Sequence, residues 1–506
     1  MLERLKSTVR DTFIYSLSNI APKVVGVILL PLFTAKLVLS DFGNWDLLDN
    51  TIQILAEVVI LGQASSLIFL NNNKEYEEQK GSALFTLTTF VLAVSAVLVL
   101  ATELVTTKFS AFFAHSQITA EYVRLTAYIV LLRVMNNLFL AKVRADEESA
   151  YYSTVSVAKT LVMTFFTVYL VAYENQGITG ILLAALIAEF LTTIALLTKL
   201  IPVMKLNFNK EILSVAFKFG FPLVFSSLGF MLLNQSDRFI IKILLGSKHL
   251  ALYGLAYRIA GVLNMFLVLP FSLGLLPIAY KYFGQPEDNR FFSKLMTYST
   301  FVFVWGFVFL SLFSKEIVKL FAQQSDFYSA YLVVPIILLS YVFSGMRLTA
   351  SLGMMLTKNT KHIAWITIGA SVLNIILNFI FIPMYGIMAA AANTLVSFVI
   401  FYLITQNVSN KYFKIDFENR KLFLMIVIGS VFAAAIYLLP AMNSILQIAI
   451  NLIITILFPV VLFLFKFYEK AELDILTSPA KILDFIKGII KGAAKPPTDT
   501  DAMIRP

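Results

Sequence analysis

The stretch NQSDRFIIKILLGSKHLALYGLAYR, residues 234–258, places polar side chains inside a long apolar run that breaks at a Gly-Ser pair. Asp237 and Arg238 precede the break, and Arg258 follows it on the next predicted helix. Ionisable side chains this deep in hydrophobic sequence are costly, and they usually face a protein interior or a water-filled cavity. The stretch therefore predicts such a cavity, and we expect the rest of the chain to enclose it.

The composition is that of a membrane protein. The 506 residues are 59% hydrophobic and only 14% charged, well below the charge content of soluble domains. Apolar runs of roughly 18–25 residues recur along the chain, and each could cross a bilayer. We predict an all-α polytopic membrane protein with about fourteen transmembrane helices, the second of them over roughly residues 46–70. No cleavable signal peptide is expected, because the basic N-terminus leads directly into the first span.

An internal repeat divides these spans into two sets. FTAKLVLSDFGNW at residues 33–45 resembles FIIKILLGSKHLALY at 239–253, and GITGILLAA at 177–185 resembles GIMAAAANT at 386–394. An even number of predicted spans separates the copies, so the repeats are parallel. The sequence thus predicts two pseudo-symmetric six-helix bundles and two extra C-terminal helices. The predicted domains are an N-terminal bundle (1–201), a cytoplasmic linker (202–214), a C-terminal bundle (215–408), two additional transmembrane helices (409–466), and a cytoplasmic amphipathic helix with a disordered tail (467–506).

Charge distribution predicts the topology. Lys and Arg are concentrated in the segments that follow even-numbered spans, which marks these segments as cytoplasmic. Both termini are therefore predicted to lie in the cytoplasm, with the chain in the cytoplasmic (inner) membrane. The same rule explains the net charge of +10, so no nucleic-acid partner is expected.

Motifs for enzyme chemistry are missing. The chain contains no Cys, and its three His residues lie in or beside predicted loops, so neither a metal site nor thiol catalysis is expected. There is no Walker A sequence and no GxSxG motif. The predicted external loops are also too short to hold the active site of a glycan polymerase or ligase. We therefore expect a protein that is not an enzyme and needs no cofactor.

Six predicted spans carry polar residues at offsets of three, four and seven, which places each set on one helix face. These faces predict a shared aqueous cavity, and the alternative is isolated hydrogen bonds between helices. The cations within predicted spans are Lys23, Arg124, Arg133, Lys159, Arg238, Arg258 and Arg347. The comparably deep carboxylates are Glu57, Glu189 and Asp237.

This excess of cations favours an anionic ligand, and guanidinium groups suit phosphate because they donate two parallel hydrogen bonds. The substrate-binding candidates are Lys23, Arg133, Arg238, Arg258 and Arg347. For Arg124 and Lys159 a structural ion pair or a snorkelling side chain explains the charge equally well. Glu57, Glu189 and Asp237 are candidates for coupling transport to an H⁺ or Na⁺ gradient, unless each only neutralises a neighbouring Arg.

The central stretch resembles the signature of the polysaccharide-biosynthesis flippases. These are the O-antigen and lipid-linked oligosaccharide translocases of the multidrug/oligosaccharidyl-lipid/polysaccharide exporter superfamily. LPLFT at residues 30–34 and FGNW at 42–45 are similar to that family's opening. The resemblance covers about residues 10–408, and the span count extends it to 465. It implies a V-shaped pair of bundles around a cationic lumen, to which Lys23, Arg133, Arg258 and Arg347 are candidates to contribute.

The resemblance implies a function as well. We expect a flippase that moves an undecaprenyl-diphosphate-linked oligosaccharide by alternating access, in the synthesis of a surface polysaccharide such as the O-antigen of lipopolysaccharide. The expected partners are this lipid-linked glycan, the bilayer, and the polymerase and chain-length machinery. Many family members have twelve spans, so about fourteen also suits a lipid II-type flippase. A cation-coupled multidrug (MATE-type) exporter is a further alternative, and a membrane polymerase or ligase is disfavoured by the short loops.

Overall fold

A computed structural model of the chain describes residues 20–108, 118–438, 444–465 and 467–469. Every regular element in these ranges is a helix, which confirms the predicted all-α membrane fold. The beginning of the first predicted span lies outside the described residues. So do the predicted C-terminal amphipathic helix and the disordered tail.

The described helices fall into a first half (α1–α7), a second half (α8–α15) and two C-terminal helices. The first half comprises residues 20–28 and Leu30–Lys36 (α1), Leu39–Ile60 (α2), Gln63–Asn72 (α3), Lys80–Lys108 (α4), Ala120–Ala145 (α5), Ser149–Val168 (α6) and Gly177–Leu200 (α7). The second half comprises Lys210–Leu245 (α8), Ser247–Leu263 (α9), Leu269–Tyr282 (α10), Asp288–Leu312 (α11), Ser314–Phe321 (α12), Val334–Ala350 (α13), Leu352–Leu356 (α14) and Lys361–Ser409 (α15). The last two helices are Asn419–Leu438 (α16) and Ser444–Leu464 (α17).

The described part contains ten helical segments that are long and apolar enough to cross a membrane, or eleven if the bent pair α2–α3 counts as one span. One of the ten is α15, which is a hairpin. Asn374 Nδ2 donates to Ser397 Oγ at 3.3 Å, although these residues are 23 positions apart and would lie about 34 Å apart in a straight helix. The chain reverses at Gly386, whose φ of +63° favours glycine. The total of fourteen spans stays a prediction.

The two halves meet along α2 and α9, the second helices of the two sequence repeats, and α8 also packs against α2 and α3. We call the end of the bundle that carries Leu37 and Gly246 the outer end, because the charge distribution predicts it to be external. The domain boundaries drawn from the sequence stay predictions. The C-terminal helices pack on α11, where Asn451 Nδ2 of α17 donates to the Leu312 carbonyl at 2.9 Å.

Contacts at the outer end hold the halves together. Asn44 Oδ1 of α2 accepts hydrogen bonds from Lys242 Nζ at 2.7 Å and Ser247 Oγ at 2.8 Å. Thr34 Oγ1 of α1 donates to the Phe321 carbonyl at 2.7 Å. Since these bonds join the first half to the second, the outer end is closed around the centre of the molecule.

The opposite end of the interface is also packed. Ser66 Oγ of α3 donates to the Ala216 carbonyl of α8 at 2.7 Å. One turn further along, Phe69 stacks on Phe219 with ring centroids 4.4 Å apart. The α2–α3 bend of 47°, at Leu61 and Gly62, brings α3 onto α8 in this way. The halves therefore touch above and below a central region.

The closest approach of α2 to α9 depends on Gly43. A Cβ atom at this position would lie 2.1 Å from the Ser247 carbonyl oxygen. We expect Gly43→Ala to push the helices apart and lower the free energy of unfolding by about 1–3 kcal/mol, the usual cost of overpacking. The measurement is the melting temperature of the purified protein. Gly274→Ala is the control, because a Cβ there meets nothing within 4 Å. Equal melting temperatures for the two variants would contradict this packing.

Candidate functional site

A cavity of about 630 Å³ lies in the central region between the halves, a volume in the range of ligand sites. Its walls come mainly from α1, α2, α5 and α6 of the first half and from α8 and α9 of the second. The ionisable side chains that line it are Lys23, Asp46, Asp49, Arg133, Lys159, Arg238 and Arg258. The predicted central cavity is thus present, and four of the five predicted substrate-binding residues line it.

A central cluster of ion pairs crosses the cavity from one half to the other. Asp46 of α2 is only 2% exposed, and its Oδ1 accepts from Arg258 Nη2 at 2.9 Å while its Oδ2 lies 3.3 Å from Arg238 Nε. Arg258 Nη2 also contacts Asp49 Oδ2 at 3.1 Å. We call Asp46, Asp49, Arg238 and Arg258 the central cluster. Its carboxylates belong to the first half and its guanidinium groups to the second.

Aromatic rings fix the two guanidinium groups in place. Arg258 lies over the ring of Trp45, 4.1 Å from its centroid, and Arg238 lies over Tyr257 at 4.2 Å. Each guanidinium is therefore held by a carboxylate in one direction and a ring face in another, which is a favourable environment for a cation. The arrangement leaves the Arg258 side chain 22% exposed, so part of its guanidinium group faces the cavity.

A second ionic group lies wholly within the first half. Glu189 of α7 is 1% exposed, and its carboxylate contacts Arg133 Nε at 2.8 Å and Lys159 Nζ at 2.6 Å. Asn136 Nδ2 donates to the same carboxylate at 2.9 Å. We call Arg133, Lys159 and Glu189 the first-half cluster. Lys159 therefore forms the structural ion pair that the sequence offered as one explanation of its charge, and it also lines the cavity.

The cavity keeps a positive surplus, but a smaller one than the sequence predicts. Five cations line it, and four carboxylates contact them: Asp46, Asp49, Glu189 and Asp237. Among the described residues, no hydrogen-bond or ion-pair partner is seen for Lys23. Asp46 and Asp49 were not among the predicted deep carboxylates, because the second span was predicted to begin at residue 46. Helix α2 begins at Leu39, which places Asp46 two turns inside the helix.

A periodic signal could have revealed these carboxylates. Asp46, Asp49, Asn50 and Gln53 follow one another at offsets of three, four and seven, and all line the cavity. The next position on this face is Glu57, which does not line the cavity. Its Oε1 accepts a hydrogen bond from Ser227 Oγ of α8 at 2.5 Å.

Asp237, another coupling candidate, lies behind the cavity in the second half. It is fully buried, and it accepts hydrogen bonds from Tyr253 Oη and, at 3.4 Å, from Thr394 Oγ1. Its neighbour Ser236 begins a chain of polar contacts that continues through Asn374 and Asn378 of α15. In the described part of the chain, no three His, Asp or Glu side chains come together as metal ligands would.

Two sequence candidates lie away from the cavity. Arg347 of α13 is half-buried, with Phe401 and Phe230 as its aromatic neighbours at 4.7 and 5.6 Å. Its Nε is buried without a hydrogen-bond partner, and the described residues offer it no carboxylate. Arg124 pairs with Glu103 at 2.9 Å, in accordance with the structural alternative. The roles assigned to all these residues from the sequence stay predictions.

Comparisons with known proteins agree with this architecture. The family model described as polysaccharide biosynthesis protein matches residues 8–283, and the MatE model matches residues 222–380. A structure of the lipid II flippase MurJ in an inward closed conformation is 17% identical, with a TM-score of 0.71 over 89% of this chain and 99% of that chain. An inward-facing multidrug resistance MATE family transporter is 14% identical, with a TM-score of 0.60 over 79% of this chain and 96% of that chain. No characterised protein matches closely enough in sequence to count as a relative.

The helical halves and the central cavity give this chain the membrane-protein fold of the flippase and MATE transporter structures. The match to the polysaccharide biosynthesis protein model includes the whole stretch 234–258 and covers more than half of the chain. The chain belongs to the polysaccharide biosynthesis protein family.

The guanidinium of Arg347 has no carboxylate partner among the described residues. Substituting this residue tests whether its charge serves substrate binding or the structure. A half-buried charge with no carboxylate partner is costly, so Arg347→Met should leave the melting temperature unchanged or raise it. If Arg347 binds substrate, the same variant will bind and transport less of it. Arg133→Met is the comparison, because it removes one of the two cations paired with the buried Glu189 and should destabilise the protein. A lower melting temperature for Arg347→Met would show that the guanidinium has a structural role.

Proposed function

We propose that the chain is a flippase that moves an undecaprenyl-diphosphate-linked oligosaccharide across the cytoplasmic membrane. The observation that carries the proposal is the net positive cavity between two helical halves. A diphosphate is an anion at neutral pH, and it matches the exposed fork of Arg258 and the ammonium of Lys23. Membership of the polysaccharide biosynthesis protein family supports a glycan as the rest of the headgroup.

The proposed mechanism uses the cavity as a polar passage for the headgroup. The diphosphate binds Lys23 and Arg258, with Arg133 and Arg238 adding positive potential from either side. The glycan occupies the aqueous part of the cavity while the lipid tail stays in the bilayer. Rocking of the two halves about their interface then exposes the cavity first to one side of the membrane and next to the other.

The finer biological setting belongs to the same proposal. Both termini lie in the cytoplasm, and the direction of transfer is from the inner to the outer leaflet. The product then serves the polymerase and chain-length machinery of a surface polysaccharide, such as an O-antigen. The concentration of Lys and Arg in alternate loops supports this topology.

A lipid II-type substrate is the second candidate. The observation that favours it is the fold likeness to MurJ, which extends over 99% of that chain. Lipid II and a lipid-linked oligosaccharide share the diphosphate and differ in the glycan, so transport of both substrates in one assay distinguishes them.

A MATE-type exporter of organic cations is less well supported. Such a substrate needs free carboxylates, and the cavity carries two, Asp46 and Asp49. Both are already paired with guanidinium groups. Efflux of a cationic dye by the wild-type protein would favour the exporter over the flippase.

The main test is leaflet transfer in proteoliposomes. A fluorescent lipid-diphosphate sugar is incorporated, and a membrane-impermeant quencher reports how much reaches the other leaflet. We expect Lys23→Gln to reduce the transfer rate about tenfold, since a hydrogen bond to a charged group contributes about 1.5–3 kcal/mol. Lys74→Gln, at an exposed site outside the cavity, is the matched control. Equal rates for both variants would remove Lys23 from the proposed site.

Coupling to an ion gradient is proposed to act through Asp237, whose buried carboxylate accepts hydrogen bonds from the Tyr253 and Thr394 hydroxyls and lies 3.5 Å from Arg238 Nη1. We expect wild-type transfer to accelerate under an imposed H⁺ or Na⁺ gradient, applied one at a time. Asp237→Asn removes the charge to which either cation binds, so it should abolish this acceleration while substrate binding remains. Asp41→Asn, on α2 outside the cavity, is the control. Undiminished stimulation in Asp237→Asn would exclude this residue, and Glu57→Gln and Glu189→Gln would be tested next.

A further inference from the structure

We propose that Asp49 is a displaceable counter-anion, which occupies the phosphate's place on Arg258 during the part of the cycle that carries no substrate. The inference rests on the proposed function and assigns a role within it. It concerns the second carboxylate of the central cluster, which neither its position in the sequence nor the family match singles out.

The two carboxylates of the central cluster differ in how firmly they are held. Asp46 is 2% exposed and contacts two guanidinium groups, Arg258 at 2.9 Å and Arg238 at 3.3 Å. Asp49 is 32% exposed, and its ion-pair partner among the described residues is Arg258, at 3.1 Å. They lie one turn apart on α2, so both face the same cavity. Asp46 is therefore a fixed partner, and Asp49 is a partner that can leave.

Arg258 is the group for which a phosphate and Asp49 would compete. Its Nη2 atom contacts both carboxylates, and the side chain is 22% exposed toward the cavity. Displacing Asp46 would strand a buried charge, which costs several kcal/mol. Displacing Asp49 exchanges one partly solvated ion pair for another, because the released carboxylate can turn into the water of the cavity. A phosphate oxygen therefore replaces Asp49 and leaves Asp46 in place.

The same exchange matters when the transporter resets. A flippase must return to its starting conformation without substrate, and that step carries the cations of the cavity through a closed, poorly hydrated state. An unpaired guanidinium resists such desolvation. Asp46 is shared with Arg238, so Asp49 completes the neutralisation of Arg258 at this stage, and it gives way when the next diphosphate arrives.

Two effects of Asp49→Asn follow, and they have opposite signs. Binding of the lipid diphosphate tightens about twofold to fivefold, because one partly exposed ion pair no longer competes. Steady-state transfer slows by a similar factor, since Arg258 then returns without substrate with only Asp46 as partner, a carboxylate that it shares with Arg238. A single transfer event by preloaded protein proceeds at the wild-type rate. A residue with a merely structural role would not produce tighter binding together with slower turnover.

The experiment uses the full-length protein in proteoliposomes with undecaprenyl diphosphate carrying one labelled sugar. Binding affinity, single-turnover transfer and steady-state transfer are measured for wild type, Asp49→Asn and Asp49→Glu. Asp49→Glu restores the carboxylate and should restore turnover. Asp41→Asn removes a carboxylate of the same helix that does not line the cavity, and this variant should behave as wild type. Inorganic pyrophosphate, added as a competitor, shows whether the diphosphate alone is recognised.

The outcomes separate this inference from the proposed function. If wild-type protein neither binds nor transfers the lipid diphosphate, the proposed function and this inference both fail. If wild type is active and Asp49→Asn has unchanged or weaker binding, only the counter-anion role is overturned. Unchanged steady-state turnover in Asp49→Asn would also overturn it. Melting temperatures confirm that the variants are folded, as expected for a substitution at a partly exposed side chain.

Discussion

The buried carboxylate of Asp46 is the interaction on which the centre of the molecule depends. It is 2% exposed, and it binds Arg238 and Arg258 from the other half of the protein. In a low-dielectric interior a guanidinium without a carboxylate is costly, and Asp46 contacts both of these groups. The ion pairs of Asp46 therefore hold the two halves together beside the cavity. The rings of Trp45 and Tyr257 complete the surroundings of the two cations.

Hydropathy and periodicity were sufficient to predict the helical membrane fold and a charged centre, because both signals are local. The apolar runs define the helices, and the offsets of Arg133 and Arg258 within them indicate interior faces. The pairing was not predictable in the same way. Asp46 and Arg258 are 212 residues apart, and nothing local in the sequence shows that α2 and α9 lie side by side.

The differences between the predicted and the observed cavity have two physical origins. A helix boundary placed at residue 46 instead of Leu39 moved Asp46 and Asp49 out of the membrane interior, so the cationic excess came out too large. Arg347 shares the helical offsets of a polar stripe, but its face of α13 packs against phenylalanine rings of α8 and α15 and not against the cavity. Periodicity identifies a helix face; only tertiary packing decides what that face meets.

The two ionic clusters differ in what motion does to them. In the first-half cluster, Glu189 and its partners belong to α5, α6 and α7, so a rigid movement of that half leaves these pairs intact. The central cluster instead joins α2 to α8 and α9, so any separation of the halves lengthens its ion pairs. An anion that binds Arg258 can neutralise this guanidinium while the halves separate, and it thereby lowers the cost of opening. In the proposed mechanism, occupancy of the cavity and movement of the halves are for this reason linked through the same guanidinium group.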